Sequence, residues 1–592
     1  MTRLFNDPSH FADEAVAGFV AAHRRWVRPV AGGVARSTQT PQGQVAVVVG
    51  GGSGHYPAFA GLVGQGLASG AVLGNVFASP SAAQVVSVAQ AAQHGGGVLL
   101  TYGNYAGDYL NFSQAEERLR AAGTPCRSVL VTDDVSSAPA DQRHQRRGIA
   151  GDLVVFKLAA AAAAAGRTLD EVAAAAERAN DRTRSLGVAF SGCTLPGASA
   201  PLFTVPEGRM AIGLGIHGEP GLTETDIPTA AALAELFVER LLAELPDDVP
   251  TATGQRVVAL LNGLGSVKYE ELFIVYGRVH QLLGEAGVEV VDCEVGEICT
   301  SFDMAGVSLT LTWLDSDLER LWEAPADAPA FRRGAVSEQA LVQHPVVDVQ
   351  DLTEPGPPPA TPESRRAAAT VVDVVDVIAR TVDTHAEQLG RLDSVAGDGD
   401  HGIGMQRGST AAAAAARASL GAGAGAGTVL TAAADAWADK AGGTSGALWG
   451  LGLRRIGVEL GDRAAPTPAV LAAGLRSARA AVTDFGRAQV GDKTLVDVLV
   501  PLEEAFGAAV LAGHPAAEAW QQGAVAAERA ADATKDLLPR MGRARPHAER
   551  SLGTPDPGAV SLALIARAVA DLLSAESVTP GRQDALRSGA NA

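Results

Sequence analysis

Between Val336 and Arg366 the chain runs through Glu354-Pro355-Gly356-Pro357-Pro358-Pro359 and Pro362, and its texture differs on the two sides. Consecutive prolines fix φ and lack amide hydrogens, so this stretch favours extended polyproline II and cannot join a core helix. It reads as a linker, 336–366, between a first half (1–335) and a second (367–592). A chain of 592 residues exceeds one usual core, which fits two domains. Before the linker, short β-branched runs alternate with Ala-rich helical sequence. Val45 to Val49 reads as a buried strand ending in Gly50-Gly51-Gly52; Val98 to Leu100, Ser128 to Val131, Val257 to Leu261 and Ser308 to Trp313 read as further strands. That alternation predicts α/β with a largely parallel sheet. After the linker, Val371, Val374, Val375, Ile378 and Val382 recur at helical spacing. The rest is Ala-rich sequence broken by Gly turns, Gly421 to Gly427 among them, with little strand signal. It predicts an all-α bundle.

Hydrophobic residues are 47% and charged residues 19%, which is globular composition. A net charge of -19 argues against a nucleic-acid partner, because phosphate backbones need basic patches. Cys126, Cys193, Cys293 and Cys299 show no CxxC spacing and read as buried or half-buried thiols in a reducing cytosol. The start, MTRLFNDPSHFADEAV, is too acidic and too broken for a signal peptide. No apolar run reaches the roughly 18 residues of a membrane span, and Leu158 to Ala165 reads as a buried helix. The expectation is a cytoplasmic protein without membrane or nucleic-acid partners.

The sharpest feature of the second half is Asp393-Ser-Val-Ala-Gly397-Asp398-Gly399-Asp400-His401-Gly402. Three carboxylates fall close together in a stretch that can turn back on itself. Such hard oxygen donors suit Mg²⁺, which could clamp nucleotide phosphates. A single Asp-Gly would read as a turn or a helix cap; three Asp with interleaved Gly favour metal, and the spacing excludes an EF-hand. Gly442-Gly443-Thr444-Ser445-Gly446 can offer amides and hydroxyls to phosphate at a helix start. Gly486 to Thr494 resembles a Walker A loop, but Asp492 stands where Lys is required and no strand precedes it, so the P-loop reading fails. Asp556-Pro557-Gly558 reads as a turn.

In the first half, Gly50-Gly51-Gly52-Ser53-Gly54-His55-Tyr56-Pro57 follows a strand, where open α/β sheets bind ligands. His55 breaks both the dinucleotide fingerprint and the G-x-S-x-G elbow. By itself it reads as a hydrogen-bonded core histidine. Tyr102-Gly103-Asn104-Tyr105-Ala106-Gly107-Asp108 follows the next strand, and Asp108 reads either as a helix cap or as a general base. Gly213-Leu-Gly215-Ile-His217-Gly218-Glu219-Pro220-Gly221 sets a His between glycines, which leave its ring room to meet a ligand.

GGGSGH, NYAGD, GIHGEPG, TSFDM, DGDHG, GGTSGAL, GDKT and DPGA stand in the order found in the dihydroxyacetone kinases. The chain resembles that family over nearly its whole length, in its fused ATP-dependent form. The resemblance implies a ketone-binding half of two α/β subdomains and a nucleotide-binding helical barrel. It implies that His217 attacks the substrate carbonyl to form a hemiaminal, that Asp108 is the base for the terminal hydroxyl, and that His55 orients the substrate. Gly52, Ser53 and Gly54 would line the pocket. Asp393, Asp398 and Asp400 would hold Mg²⁺. ATP would be held by His401, Gly402, Ile403, Gly404, Thr444, Ser445, Gly486, Leu495, Arg543, Asp556, Pro557 and Gly558. A homodimer follows from family precedent.

The chain departs from the family pattern at Tyr56, Phe59 and Gly103, where Glu, a polar residue and Lys are usual. A lost Lys side chain makes room and aromatic walls reshape a pocket, so the expected substrate is erythrulose rather than dihydroxyacetone. Arg545-Pro546-His547-Ala548 also departs from pattern. The rival expectations are a dihydroxyacetone sensor without catalysis and an FAD-AMP lyase forming cyclic FMN.

Overall fold

The computed structural model describes residues 2–342, 357–395, 397, 399, 401–541 and 550–578. They form two compact units that divide between Leu352 and Thr353.

The first unit holds two six-stranded sheets. The first sheet comprises β1 (Val27–Val30), β2 (Gly33–Arg36), β3 (Ala46–Ser53), β4 (Gly70–Val76), β5 (Val98–Gly103) and β6 (Cys126–Val131), in the order β1-β2-β4-β3-β5-β6. Strands β3 to β6 are parallel; β1 and β2 are antiparallel additions at one edge. The second sheet comprises β7 (Thr183–Ala189), β8 (Arg209–Ile212), β9 (Thr223–Asp226), β10 (Arg256–Gly263), β11 (Glu289–Gly296) and β12 (Gly306–Leu314), in the order β11-β10-β12-β7-β8-β9. Only β10 and β11 run parallel there. The largely parallel expectation therefore holds for the core of the first sheet and is corrected for the second. A fully buried strand reads as an unbroken apolar run whichever way its neighbour runs.

This unit also holds helices α1 (Phe11–Ala22), α2 (Ala82–Ala92), α3 (Ala106–Ala121), α4 (Asp152–Ala164), α5 (Leu169–Asp181), α6 (Ala230–Leu242), α7 (Tyr269–Glu285) and α8 (Ser316–Glu323), and a two-stranded ribbon of Ala326–Asp327 and Arg332–Arg333. Alternation along β3 explains the layers. Ala46 and Val48 face α2 and α3, with Val85, Val88 and Phe112. Val47 and Val49 face the central layer, where α4 is buried almost end to end. That layer also takes Val258, Leu260 and Leu264 from the second sheet. Helix α4 is Ala-rich because a helix enclosed on all sides must be slim. The outer face of the second sheet packs on α6 and α7 through Phe237, Val275 and Trp313.

The second unit is all-helical: α9 (Pro362–Asp393), α10 (His401–Gly421), α11 (Ala426–Ala441), α12 (Gly443–Leu460), α13 (Pro468–Gly486), α14 (Val496–Leu511), α15 (Ala516–Ala533) and α16 (Pro557–Val578). Each helix packs on the next, and α16 returns to α9, closing a helical barrel. Small residues allow the close approach: a Cβ at Gly450 would fall 2.6 Å from Ala438 Cβ, and one at Gly408 2.7 Å from the Trp437 ring. Helix α9 begins inside the stretch expected as linker. Thr361 caps it and Pro362 takes the first turn, the one helical position where a missing amide costs nothing. The expectation that no apolar stretch reaches membrane length is also corrected: Pro557–Ala575 passes on length and composition. Its Ala559, Ala563, Ile565, Ala566, Val569 and Ala570 are buried in the barrel.

Phe156 of α4 is wholly buried between the sheets. Phe156→Ala is expected to cost about 3–5 kcal/mol in chemical denaturation; a loss near zero would mean that α4 is not the central layer.

Candidate functional site

The chain passes from β3 outward to β4, then crosses back to β5 on the other side of β3. A reversal of strand order opens a crevice at the carboxyl ends of the strands. His55 follows β3 and Asp108 lies in the first turn of α3, after β5, so both loops flank that crevice. The glycine run does not end the strand as expected; β3 continues through Gly50-Gly51-Gly52-Ser53. Those glycines are needed for space. A Cβ at Gly51 would meet the Phe59 ring at 2.6 Å, and one at Gly52 the Ala78 amide at 2.8 Å. Ser53 Oγ donates to the Gly74 carbonyl, and a Cβ at Gly54 would strike the rings of Phe77 and Phe302.

The second sheet brings the other half of the site. The loop from β8 to β9 carries His217, whose Nε2 lies 3.0 Å from His55 Nε2. His55 Nδ1 lies 2.7 Å from the Thr300 carbonyl, which can only accept, so Nδ1 carries the proton and Nε2 a lone pair. His217 Nδ1 lies 2.9 Å from Glu219 Oε1. The pattern is complete when His217 carries protons on both nitrogens.

Burial pushes His55 down to about 3, with His217 adding to it and the Thr300 carbonyl opposing. His55 is therefore neutral. Burial pushes the Asp108 carboxyl up to about 7, against the Ser79 hydroxyl and His217. Asp108 Oδ1 is buried and has no hydrogen-bond partner among the described residues. Aromatic rings close the site. Phe77 stacks on His55 at 4.8 Å, and Phe77 and Tyr105 each meet His217 edge-on at 5.0 Å. Phe77 and Phe302 hold left-handed backbone at φ 52 and 47, strain that non-glycine residues rarely carry.

The expected aromatic walls are not Tyr56 and Phe59. Tyr56 packs edge-on against Phe19, and Phe59 is buried beneath Gly51. At Gly103 a Cβ would lie 3.2 Å from the Tyr105 ring, so the missing side chain lets that ring approach. Sequence reasoning gave no role to Glu219, Thr300, Phe77 or Tyr105, although Glu219 and Thr300 sit inside GIHGEPG and TSFDM.

In the barrel, the connections α9–α10, α11–α12, α13–α14 and α15–α16 all fall at one end of an up-and-down ring. That end gathers most of the predicted nucleotide residues. Thr444 and Ser445 start α12, and a Cβ at Gly404 would lie 3.2 Å from the Ala441 carbonyl. Gly486 abuts Leu448, and Gly558 abuts Leu495. Gly402 packs on the Ala386 carbonyl, Ile403 is exposed, and Pro557 opens α16. His401 is buried, with Nε2 3.2 Å from Ser561 Oγ, and burial pushes it down against Asp393. Asp398, Asp400 and Arg543 lie outside the described residues.

Asp393 ends α9 and accepts from the His401 amide. Asp556 accepts from the Ala559 amide at 2.7 Å. Burial pushes Asp556 up to about 7, opposed by that amide and by Lys493 and assisted by Asp497 and Asp393. The carboxylates outnumber the cations here, a donor set that fits a hard divalent ion. Among the described residues no group of three metal-binding side chains forms.

Lys493 is held by the protein itself. Its Nζ donates to the carbonyls of Leu537 at 3.1 Å and Ser551 at 2.7 Å, and to Ser551 Oγ at 3.1 Å. Asp497 organises the same loop, accepting from the amides of Gly491 and Thr494 at 2.6 and 2.7 Å.

Two family models match the chain: the Dak1 domain over residues 17–330 and the DAK2 domain over 395–571. The L-erythrulose kinase of Pectobacterium atrosepticum is 58% identical over 580 residues, covering 98% of both chains. The D-erythrulose kinase of Mycolicibacterium smegmatis is 52% identical over 577 residues, covering 97% of this chain and 99% of that protein. The crystal structure of the dihydroxyacetone kinase from C. freundii with AMP-PNP and Mg²⁺ is 28% identical, with a TM-score of 0.51, covering 96% and 99%.

Lys493→Met should lower stability by about 1–3 kcal/mol, because buried acceptors lose their donor. Thermal unfolding and nucleotide titration check it. Weakened nucleotide binding with unchanged stability would instead make Lys493 a phosphate ligand.

Proposed function

The chain belongs to the dihydroxyacetone kinase family in its fused ATP-dependent form, and from that premise we propose that it phosphorylates a terminal hydroxyl of erythrulose held covalently on His217. It is an ATP-dependent ketose kinase. The observation that carries the finer reading is the histidine pair: His217 Nε2 faces a neutral His55 across 3.0 Å, with a buried carboxyl oxygen of Asp108 that lacks a partner among the described residues. Erythrulose is supported by the names of the two bacterial relatives.

His217 Nε2 bonds to the carbonyl carbon as the C=O π bond breaks. The Nε2 proton passes by way of His55, whose Nε2 lone pair faces it, to the former carbonyl oxygen. The proton count does not change. A polyol offers no carbonyl to this nitrogen, which separates ketose from glycerol. Asp108 then takes the proton of the terminal hydroxyl as that oxygen accepts the phosphoryl group. In the barrel, Asp393 with Asp398 and Asp400 would hold Mg²⁺, a reading supported by the surplus of carboxylate and by the Mg²⁺ in the C. freundii neighbour. When bound, the ion supplies charge neutralisation at the phosphates. Thr444 and Ser445, at the start of α12, offer hydroxyls and amides to phosphate oxygens.

ADP release from Mg·ATP with D-erythrulose, L-erythrulose, dihydroxyacetone and glycerol tests this. Erythrulose should stimulate turnover most and glycerol not at all, and His217→Ala should abolish the response. Equal stimulation by glycerol, or an active His217→Ala, would remove the covalent reading. A base must be ionised, and the Asp108 carboxyl is held up at about 7, so kcat/KM for the ketose should fall as pH drops through that value and level off above it. Asp108→Asn should lose roughly 10²–10⁴-fold in kcat; a flat pH profile would show that Asp108 is not the base.

A further inference from the structure

His217 stands at the head of a line of alternating charge. Glu219 accepts from His217 Nδ1 at 2.9 Å and from the His217 amide at 3.0 Å. Arg147 Nη1 lies 3.7 Å from Glu219 Oε2. The same guanidinium donates to Asp134 Oδ2 through Nε at 3.1 Å and Nη2 at 2.8 Å, and to the Gly213 carbonyl at 3.1 Å. Asp134 is fixed in turn by the Ser136 amide at 3.0 Å and hydroxyl at 2.5 Å. Arg147 and Asp134 are 9% and 3% exposed, so this pairing is screened little by solvent.

The loop is shaped around the line. A Cβ at Gly215 would fall 2.0 Å from Glu219 Oε2 and 2.3 Å from Arg147 Nη1, and one at Gly213 2.5 Å from Ser136 Cβ. Gly215 therefore leaves room for the carboxylate and guanidinium behind the ring, not only for a ligand in front of it. Arg147 also ties the start of the loop, at Gly213, to its far side, at Glu219. Three charges summing to minus one stand behind a ring that must end as a cation when it is alkylated on Nε2.

We propose that Glu219, Arg147 and Asp134 are positioning residues that keep a proton on His217 Nδ1, turn Nε2 to the substrate and stabilise the cationic hemiaminal, so that they set the affinity for a ketone carbonyl. This rests on the covalent reading of His217. The Nε2–C bond forms, the C=O π bond breaks, the Nε2 proton ends on oxygen, and the ring retains its Nδ1 proton and its positive charge. Burial disfavours an ionised Glu219, but His217 and Arg147 outweigh it and hold the carboxyl well below the usual range. The carboxylate is thus available throughout the neutral range.

The test uses the full chain and 2-¹³C-labelled ketose. Glu219→Gln keeps the shape and removes the charge. It should raise KM roughly 10- to 100-fold, the worth of a charged hydrogen bond, while kcat changes much less. The tetrahedral ¹³C signal of the adduct should weaken in parallel. Arg147→Lys keeps a cation without the bidentate fork and should fall between the two. It also serves if Glu219→Gln does not fold. Wild-type KM and adduct signal in Glu219→Gln, with His217→Ala unable to form the adduct, would overturn this proposal alone. An adduct that persists in His217→Ala would overturn the covalent reading beneath it.

Discussion

The hydrogen bond from His55 Nδ1 to the Thr300 carbonyl governs the histidine site of the first unit. It joins a loop of the first sheet to a loop of the second, and a carbonyl accepts without donating. The proton of His55 is thereby committed to Nδ1, and its Nε2 can only receive. Every later feature of the site follows from that direction. His217 must present Nε2 as donor at rest, its Nδ1 must be served by Glu219, and the burial that keeps His55 neutral keeps it an acceptor. Were the Thr300 contact a hydroxyl, either tautomer would satisfy it and the direction of proton flow would be undetermined.

The central helix α4 makes that bond possible. Two sheets that share one slim, Ala-rich helix between them bring the ends of β3 and β5 against the β8–β9 loop. The strained backbone at Phe77 and Phe302 is tolerated because rings from both sheets interlock around His55. The barrel solves a different problem by topology alone. Eight helices in sequence order put alternate connections at one end, so residues as distant in sequence as Asp393, Ser445, Leu495 and Gly558 gather there without any long-range motif.

Much of this was legible where chemistry is local. Val45 to Val49 reads as a strand because five apolar residues precede glycine, and α10 to α16 follow from Ala-rich segments punctuated by Gly. What was not legible depends on partners distant in sequence. Strand direction in the second sheet is invisible, since Val257 to Leu261 is apolar throughout and carries no mark of its neighbour's polarity. Glu219 stands inside GIHGEPG with no mark of its role, because its meaning comes from Arg147, far away in the chain. Phe59 looked like a pocket wall from its nearness to His55 in sequence; Gly51 accounts for its burial instead. Lys493 carries no sign of its role in the sequence, and only the carbonyls of Leu537 and Ser551 show where its protons go.

The covalent binding proposed for His217 would suit a substrate this small. A three- or four-carbon ketose has few heavy atoms, and all but its carbonyl are matched in a polyol. Hydroxyls alone cannot separate it from glycerol, which presents the same groups to the same donors. The carbonyl carbon is the one atom that differs in kind, and a nitrogen lone pair reads it by bonding to it. Such a bond must also be weak enough to release product, which excludes an irreversible link and favours a hemiaminal whose reversal needs only the return of one proton. On that proposal the line Asp134–Arg147–Glu219 tunes the balance: one net negative charge behind His217 would stabilise the cationic adduct, and a neutral His55 in front would return the proton.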